Sequence, residues 1–456
     1  MKIVANPDAP LDMYDTAIAS GLLPSSYTMT NGSITINYQE LDGTDSSYID
    51  VLHGDTLNVS NDVDTASGIV TSLEEFDGSV RRFTISDFKI DLAGNDYLFS
   101  ADRGLYFDKA LAGNDHITGS NGDDHLFGGD GDDTIYGLGG ADEVDGGEGN
   151  DTIYSVGNGS FIYGGEGLDN VVYVGLARSY GVMPYSDSTA VSSDIMSSVE
   201  DVHFRDATLT FDANSNAAFV MRLYDTTLHR EPDAVGLDDW LDALAVGQTR
   251  GDVAHGFLNS PEYEAATGRL SNSDFVEFLY NSALGRPSDV GGKADWVRGL
   301  EEGLSRTDVL IGFSESEEHR AQTAGTLAKG LWDTDNDYQA VAALYDAFNN
   351  RLPDAAGLQD WVDKLKGGMS LNQVAEGFAS SPEFAQATAD LSKGQLVEFM
   401  YENALGRASD PNGQNYWLAQ LDSDFSKGDL LLSFSESAEH YTQMQEQLFA
   451  GVEYII

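Results

Sequence analysis

A nine-residue repeat in residues 110–172 constrains this chain more than any other feature. The pattern G-G-x-G-x-D-x-U-x, in which U is a large aliphatic residue, occurs there seven times in phase, most clearly in residues 128–136. The seven copies contain 13 acidic residues and no lysine or arginine. Carboxylates at this density cannot be brought together in a fold without a counter-cation. The repeat therefore predicts a metal-dependent structure.

Each copy has the composition of half a turn of a β-solenoid. The glycines permit the positive-φ geometry of a tight turn, and positions seven to nine form a short strand with one aliphatic side chain directed inward. Successive copies are predicted to alternate between two parallel sheets, so that each copy stacks on the copy two places further along. The acidic turns then stack along both edges. The inward residues are Ile117, Leu126, Ile135, Val144, Ile153, Ile162 and Val171.

Calcium is the cation that these donors favour, because it takes about six to eight hard oxygen ligands. Position six supplies carboxylates, and position three is expected to contribute through its backbone carbonyl. Copy six has Ser160 at the acidic position, where we expect weak or absent metal binding. Several calcium ions are expected, and their number stays open. The candidate metal-binding residues are Asp96, Asp115, Gly119, Asn121, Asp124, Gly128, Asp130, Asp133, Gly137, Gly139, Asp142, Gly146, Glu148, Asp151, Glu166 and Asp169.

The array resembles the RTX, or haemolysin-type, calcium-binding repeat family. The alternative, a disordered low-complexity tract of glycine and aspartate, is disfavoured by the aliphatic residue at position eight of every copy. The resemblance implies a parallel β-roll that is unfolded without calcium and folded with it. A partial copy in residues 94–98, which contains Asp96, is expected to start the roll early.

Charge and composition narrow the possible partners and the export route. The net charge of −52 excludes non-specific nucleic-acid binding and disfavours anionic membrane surfaces. No apolar run reaches the roughly 18 residues of a membrane-spanning helix, so no membrane insertion is expected. The chain has no cysteine, and its first residues lack the apolar core of a Sec signal. These features favour type I export, for which the apolar residues 448–456 are expected to act as an uncleaved signal.

A second repeat occupies the C-terminal half. Four segments share a frame of Leu/Met-Tyr, Arg, Asp, Gly and Trp, followed by a Phe and a Ser-x-Glu ending. Frames recur at 56 residues within a pair and whole pairs at 121 residues, so a two-unit module was duplicated. Each unit is predicted to contain three short helices, and the four units to form an α-solenoid or paired bundles. The joint in residues 321–337 carries two glycines and an acidic run and is predicted to flex.

The recurring side chains of this frame have structural and functional interpretations. The tryptophans could be glycan-stacking platforms, but their position on the apolar stripe favours a role in the core of each unit. The aspartate, Asp233 in the first unit, is expected to cap a helix. The arginines are expected to form bidentate pairs with the Ser-x-Glu carboxylates. These pairs would be Arg230 with Glu262, Arg286 with Glu318, Arg351 with Glu383 and Arg407 with Glu439.

The helical half resembles the domain-of-unknown-function 4214 family over roughly residues 217–445. The resemblance is carried by the frame L-Y-x(5)-R-x-x-D-x-x-G and by the Phe-Ser-Glu-Ser endings at residues 313–316 and 434–437. Such domains follow RTX repeats in secreted proteins of Gram-negative bacteria. The family has no established chemistry, so the resemblance implies a helical fold and leaves the activity open.

The chain is therefore predicted to be multidomain, with β parts followed by an all-α part. Alternating β-branched and polar residues with Asn-Gly and Asp-Gly turns indicate a small β domain near the N-terminus. The predicted parts are an N-terminal β domain (1–90), the RTX β-roll (91–179), a β cap closing the edge of the roll (180–212), a first pair of helical units (213–326) and a second pair with the C-terminal secretion signal (327–456).

No catalytic motif is found, since the chain has no His-Glu-x-x-His, no G-x-S-x-G elbow and no phosphate-binding loop. We therefore expect a secreted, non-enzymatic calcium-binding protein of the bacterial surface. It would bind surface polysaccharide (capsule, exopolysaccharide or lipopolysaccharide), or assemble with copies of itself, as an adhesin or surface-layer component. Two alternatives stay open: a capsule-binding spike or fibre of a phage-like particle, and a secreted glycan-active enzyme with an accessory roll.

Overall fold

The computed structural model describes residues 111–155, 158–185, 188–349, 355–437 and 439–440, and the backbone of six strands before residue 92. Strands β2 to β6 pair antiparallel in chain order, and β1 pairs with β6. The pairing of Thr30 with Ser33 and of Asp77 with Val80 confirms two predicted hairpins, whose turn residues lie outside the described residues. The six strands are β1 (Lys2–Ala5), β2 (Leu23–Thr30), β3 (Ser33–Gln39), β4 (Asp45–Asn58), β5 (Ser67–Asp77) and β6 (Val80–Asp91).

The nonapeptide copies form a parallel β-solenoid of about three turns. Its strands are β7 (His116–Thr118), β8 (His125–Asp130), β9 (Thr134–Tyr136), β10 (Glu143–Glu148), β11 (Thr152–Ser155), β12 (Phe161–Glu166) and β13 (Asn170–Tyr173). Odd-numbered strands pair in one sheet and even-numbered strands in the other, with Ile117 opposite Ile135 and Leu126 opposite Val144. The predicted stacking of each copy on the next but one is confirmed. All seven inward residues are at most 3% exposed.

The N-terminal strands continue the first sheet of the roll. Strand β1 pairs parallel with β7, with Lys2 opposite His116 and Val4 opposite Thr118. This places β1 on the edge of β7 that faces away from β9. Asp96 and the rest of the partial copy lie outside the described residues.

The segment after the roll extends both of its sheets. Its strands are β14 (Val182–Pro184), β15 (Thr189–Val191), β16 (Asp194–Ser197), β17 (Asp201–His203) and β18 (Ala207–Thr210). Strand β16 pairs parallel with β12, and β17 pairs parallel with β13. Antiparallel strands then follow on each side, so the last turn of the roll does not end in open edges.

The C-terminal half is helical. Its helices are α1 (Asn216–Leu228), α2 (Ala234–Ala245), α3 (Arg250–Leu258), α4 (Pro261–Thr267), α5 (Asn272–Leu284), α6 (Val290–Glu301), α7 (Arg306–Ser314), α8 (Glu317–Leu327), α9 (Asn336–Asn349), α10 (Ala355–Lys366), α11 (Leu371–Ala379), α12 (Pro382–Thr388), α13 (Lys393–Leu405), α14 (Pro411–Leu421) and α15 (Lys427–Ser435).

The prediction of three helices per unit is wrong, because each of the first three units has four. The Ser-x-Glu ending, taken from the sequence as the end of a unit, begins a fourth helix. The Ser260 side chain caps α4 by accepting the Tyr263 N–H, and Pro261 occupies the first helical position. Ser316 and Ser381 cap α8 and α12 in the same way.

Each helical pair has its own apolar core. The frame tryptophan of every unit is partly buried and packs against the following phenylalanine, which favours the interpretation of these residues as packing side chains over exposed stacking platforms. The ring centroids are 5.0 Å apart for Trp240 and Phe257, 5.3 Å for Trp296 and Phe313, 5.0 Å for Trp361 and Phe378, and 5.2 Å for Trp417 and Phe434.

The joint between the helical pairs, where the composition predicts limited flexing, consists of regular secondary structure. Helix α8 continues to Leu327, and strand β19 (Leu331–Thr334) then pairs antiparallel with β18. Gly330, at φ +80°, forms the turn into this strand. The joint is therefore an edge strand of the first sheet, and it connects the helical half to the roll.

Candidate calcium-binding site

The turns of the roll stack in two columns. The first column contains the turns of copies one, three, five and seven, and the second contains those of copies two, four and six. The first column brings together Asp115, Gly128, Asp130, Asp133, Gly146, Glu148, Asp151, Glu166 and Asp169. The second column brings together Gly119, Asn121, Asp124, Gly137, Gly139 and Asp142.

Carboxylates of the first column form a continuous hydrogen-bonded ladder. Each position-six backbone N–H donates to the Oδ1 atom of the position-six aspartate 18 residues later: Asp115 to Asp133 at 2.7 Å, Asp133 to Asp151 at 2.8 Å, and Asp151 to Asp169 at 2.9 Å. The Asp169 N–H donates to Glu200 Oε2 at 2.8 Å. Glu200 belongs to the cap and lies outside the nonapeptide frame, so the repeat pattern gave no signal for it.

The second oxygen of these carboxylates is buried without a hydrogen-bond partner. This applies to the Oδ2 atoms of Asp133, Asp151 and Asp169. The position-one glycine of the same copy packs against this atom, and a Cβ atom at Gly128 would lie 2.4 Å from Asp133 Oδ2 and 2.2 Å from a neighbouring backbone carbonyl. Copy three therefore needs glycine at position one. The close approach brings carboxylate and carbonyl oxygens together in one buried place.

Burial makes these carboxylates poor acids when no cation is nearby. Burial raises the pKa of Asp133 to about 7, and the charges of Asp151 and Asp115 add to this effect. Burial also raises the pKa of Asp142 to about 7 and that of Asp169 to about 6. An ionised aspartate in these positions needs a positive charge beside it.

The second column is interrupted where copy six lacks the acid. Asp124 N–H donates to Asp142 Oδ1 at 3.0 Å, but Asp142 N–H donates to the Ser160 hydroxyl at 3.1 Å. Asp194 of the cap takes the next place and accepts the Ser160 N–H at 2.9 Å. Its other oxygen accepts the hydroxyls of Ser155 and Tyr173 at 2.6 and 2.8 Å. Both oxygens of Asp194 are thus occupied by protein donors.

Positions three and five have different roles from position six. The side chains of Asn121, Asp130, Glu148 and Glu166 at position three are exposed, and the carbonyls of Glu148 and Glu166 accept N–H groups of the stacked turns at 2.6 and 2.8 Å. Position five forms a second, exposed ladder, which was not predicted from the sequence. In it, Asn150 N–H donates to Asp132 Oδ1 at 2.9 Å. The recurring Asn or Asp at position five was the available signal.

The first column fits calcium in the kind of donors that it provides. Among the described residues, no three histidine, aspartate or glutamate side chains come together closely enough to hold a metal ion by themselves. An ion in the column must therefore combine one or two carboxylates with backbone carbonyls, which suits a hard cation that accepts mixed oxygen ligands. The Oδ2 atoms of Asp133, Asp151 and Asp169 have no hydrogen-bond partner and are therefore available as ligands to the ion.

Aromatic side chains lie on the outer face of the second sheet. Phe161 is 62% exposed and Tyr163 is 47% exposed, and both stand on β12 beside Glu143 and Asp145 of β10. These residues line a shallow groove of about 210 Å³. These two residues were not predicted from the sequence, although copy six has aromatic residues at both outward positions, seven and nine.

The helical units carry a recurring polar cluster. In the second unit, the Arg286 guanidinium donates to both oxygens of Glu318 at 2.8 and 2.9 Å and lies over the Tyr280 ring. Asp289 caps α6 through Gly292 N–H at 2.7 Å. The predicted bidentate pair is confirmed in three units, by Arg230 with Glu262, Arg286 with Glu318 and Arg407 with Glu439. Arg351 of the remaining unit lies outside the described residues.

The two-sheet roll with stacked acidic turns defines a calcium-binding β-roll protein. The RTX calcium-binding nonapeptide repeat model matches residues 109–135 and 118–153. The model of a domain of unknown function, DUF4214, matches residues 205–267, 254–323, 332–388 and 375–444, which together are just over half of the chain. The chain belongs to the DUF4214 family and carries RTX repeats. No curated protein matches it in a sequence search.

These matches describe domains that are non-catalytic in kind, and RTX repeats are typical of secreted proteins. In the part of the chain that the structure describes, no helix has the length and apolar character needed to cross a membrane.

Proposed function

We propose that this protein is an extracellular, non-enzymatic component of the bacterial surface. Its β-roll folds when calcium binds outside the cell, and the folded protein then binds surface polysaccharide or assembles with copies of itself. The observation that carries the calcium step is the first column, in which Asp133, Asp151 and Asp169 each bury an oxygen that has no hydrogen-bond partner. Such a column is costly to form without a cation.

The residues that would hold calcium are the position-six aspartates of the first column, with Asp124 and Asp142 in the second. Backbone carbonyls of the position-one and position-three residues would complete the coordination. When bound, the ion supplies the positive charge that lets these buried carboxylates stay ionised. Asp194 already has protein donors on both oxygens, so we expect the end of the second column at Ser160 to fold without metal.

Before export, a cytosol poor in calcium would leave these carboxylates uncompensated and keep the roll unfolded. Extracellular calcium-binding modules typically bind the ion at roughly 10⁻⁴ to 10⁻³ M, so the ion would be bound once the chain is outside. Binding energy then becomes folding energy, because the unfolded chain has no preformed site.

The groove on the second sheet supports polysaccharide binding more than the helical units do. Exposed Phe161 and Tyr163 offer flat apolar faces, and Glu143 and Asp145 beside them can accept hydrogen bonds from sugar hydroxyls. Residues 110–172 contain no lysine or arginine, so this face suits a neutral glycan better than an anionic one. The frame tryptophans are packed against phenylalanines and are not available in the same way.

The test is retention of the purified protein on intact Gram-negative cells, with and without capsule, in millimolar calcium and in chelator. We expect capsule-dependent retention in calcium only, and a loss of retention in Tyr163→Ala. The matched control is Tyr416→Ala, which removes a similarly exposed tyrosine, 55% against 47% for Tyr163, from the helical half. Retention that does not depend on the capsule would contradict glycan binding, and ordered assemblies of the protein alone would then favour self-association. Release of sugar fragments would indicate an enzyme.

A further inference from the structure

We propose that strand β19 is a latch through which the calcium-folded roll holds the two helical pairs in one fixed arrangement. The inference rests on the calcium-dependent folding proposed above and goes beyond it, because it assigns calcium control over the helical half. That half contains no nonapeptide repeat.

The latch is well anchored on the roll side. Strand β19 pairs with β18 over four residues, with Leu331 opposite Thr210 and Thr334 opposite Ala207. Trp332 is buried and stacks on Phe204 of the cap, with ring centroids 5.7 Å apart. Phe204 in turn stacks on Tyr173 of the last strand of the roll, at 5.6 Å. An aromatic row therefore runs from the roll into the latch.

The same strand contacts the first helical pair. Leu331 is part of the apolar core of that pair. The Thr334 hydroxyl donates to Asp238 Oδ1 of α2 at 2.7 Å. Just after the strand, Asn336 Nδ2 donates to Asp242 Oδ1 of the same helix at 2.6 Å. The first pair is therefore held by apolar burial at the start of the latch and by hydrogen bonds at its end.

The second helical pair is held at the same place. Asp335 N–H donates to the Asp206 carbonyl of the cap at 2.9 Å, and Asp335 Oδ2 accepts the Lys366 ammonium of α10 at 2.9 Å. Leu176, which follows the last strand of the roll, is buried in the core of the second pair. The two helical cores are separate, so the latch and the end of the roll provide shared points of attachment.

The surface that receives the latch exists only when the roll is folded. Strand β18 pairs with β17, β17 pairs parallel with β13 of the roll, and Glu200 just before β17 accepts the Asp169 N–H at the end of the first column. Losing calcium from the column would remove the support of β17 and then the edge on which β19 lies. Each helical pair keeps its own core, so we expect the pairs to stay helical but to lose their fixed mutual orientation.

The absence of cysteine makes this directly measurable in the full chain. Spin labels are attached to cysteines replacing Val290, which is 91% exposed in the first pair, and Glu402, which is exposed on α13 of the second. Pulsed electron–electron double resonance gives the distance distribution between the two labels in calcium and in chelator. Hydrogen exchange of roll peptides, residues 116–173, reports folding of the roll in the same samples. Trp332→Ala breaks the latch, and Thr334→Val removes only its hydroxyl contact.

We expect one narrow distance distribution in calcium and a several-fold broader one in chelator. Trp332→Ala should stay broad in calcium while its roll peptides are still protected, and Thr334→Val should fall between the two. If calcium protects the roll but leaves the distance distribution unchanged, or if both latch variants give the narrow distribution, the latch proposal is overturned and the calcium proposal stands. If calcium does not protect the roll, both proposals fall.

Discussion

Replacing Asp133 by asparagine should change the stability of the roll in opposite directions with and without calcium. Asparagine keeps the Oδ1 acceptor for the Asp115 N–H. It removes the negative charge of the Asp133 carboxylate, whose Oδ2 atom is buried without a hydrogen-bond partner. Leaving a buried polar group unsatisfied costs about 1–3 kcal/mol, and more when the group is charged. Asparagine leaves an uncharged amide in this place, so without calcium Asp133→Asn should stabilise the folded roll by about 1–3 kcal/mol, the part of the cost that comes from the charge.

With calcium, the same substitution removes a ligand and a charge from the middle of the first column. We expect the calcium midpoint for protection of the roll peptides to rise at least about tenfold, which corresponds to about 1.4 kcal/mol. The calcium-free effect is measured by hydrogen exchange in chelator with increasing TMAO, which favours burial. Asp133→Asn should need less TMAO than the unmodified protein to become protected.

The matched control is Asp132→Asn, one residue earlier. It makes the same change in net charge, but Asp132 lies in the exposed position-five ladder and can keep its Oδ1 contact with Asn150 as asparagine. Equal shifts of the calcium midpoint in the two variants would mean that overall charge, and not the buried column, controls folding. A higher TMAO requirement for Asp133→Asn than for the unmodified protein would refute the argument from the unpaired buried oxygen.

Three further predictions concern the helical half and the latch. Gly236→Ala should destabilise the first pair by about 1–3 kcal/mol in urea denaturation, because its Cβ would lie 2.2 Å from a buried tyrosine hydroxyl, whereas Gly394→Ala, in open space, should not destabilise. Arg286→Glu and Glu318→Arg should each lower the thermal midpoint, and the double swap should recover most of that loss; no recovery would contradict the pairing. Burial raises the pKa of Asp333 from 3.8 to about 6, so the folded state binds a proton between these values that the unfolded chain does not. The melting temperature should therefore rise as pH falls from 7 to 5, by a modest amount because Asp333 is exposed to solvent, and the melting temperature of Asp333→Asn should rise less.

Local patterns in the sequence predicted the roll and the stacking of its acidic turns. The aliphatic residue at position eight recurs with a strict period, and burying all seven of these side chains requires the observed stacking of alternate copies. Asp233 and its equivalents could be predicted to cap helices because a capping side chain contacts only the next three residues along the chain. Asp233 accepts the Gly236 N–H at 2.9 Å. When two interacting residues lie in the same repeat or in neighbouring repeats, the repeat length in the sequence is enough to identify them as partners.

The sequence by itself determined that acidic turns would stack in columns, that those columns would need a cation, and that four similar helical units would follow. Only the tertiary structure decided how these parts end and join. Asp194 and Glu200 close the two columns, and strand β19 ties the joint to the sheet. These residues stand outside both repeats, and their partners are set by how the chain returns in space, which no period in the sequence encodes.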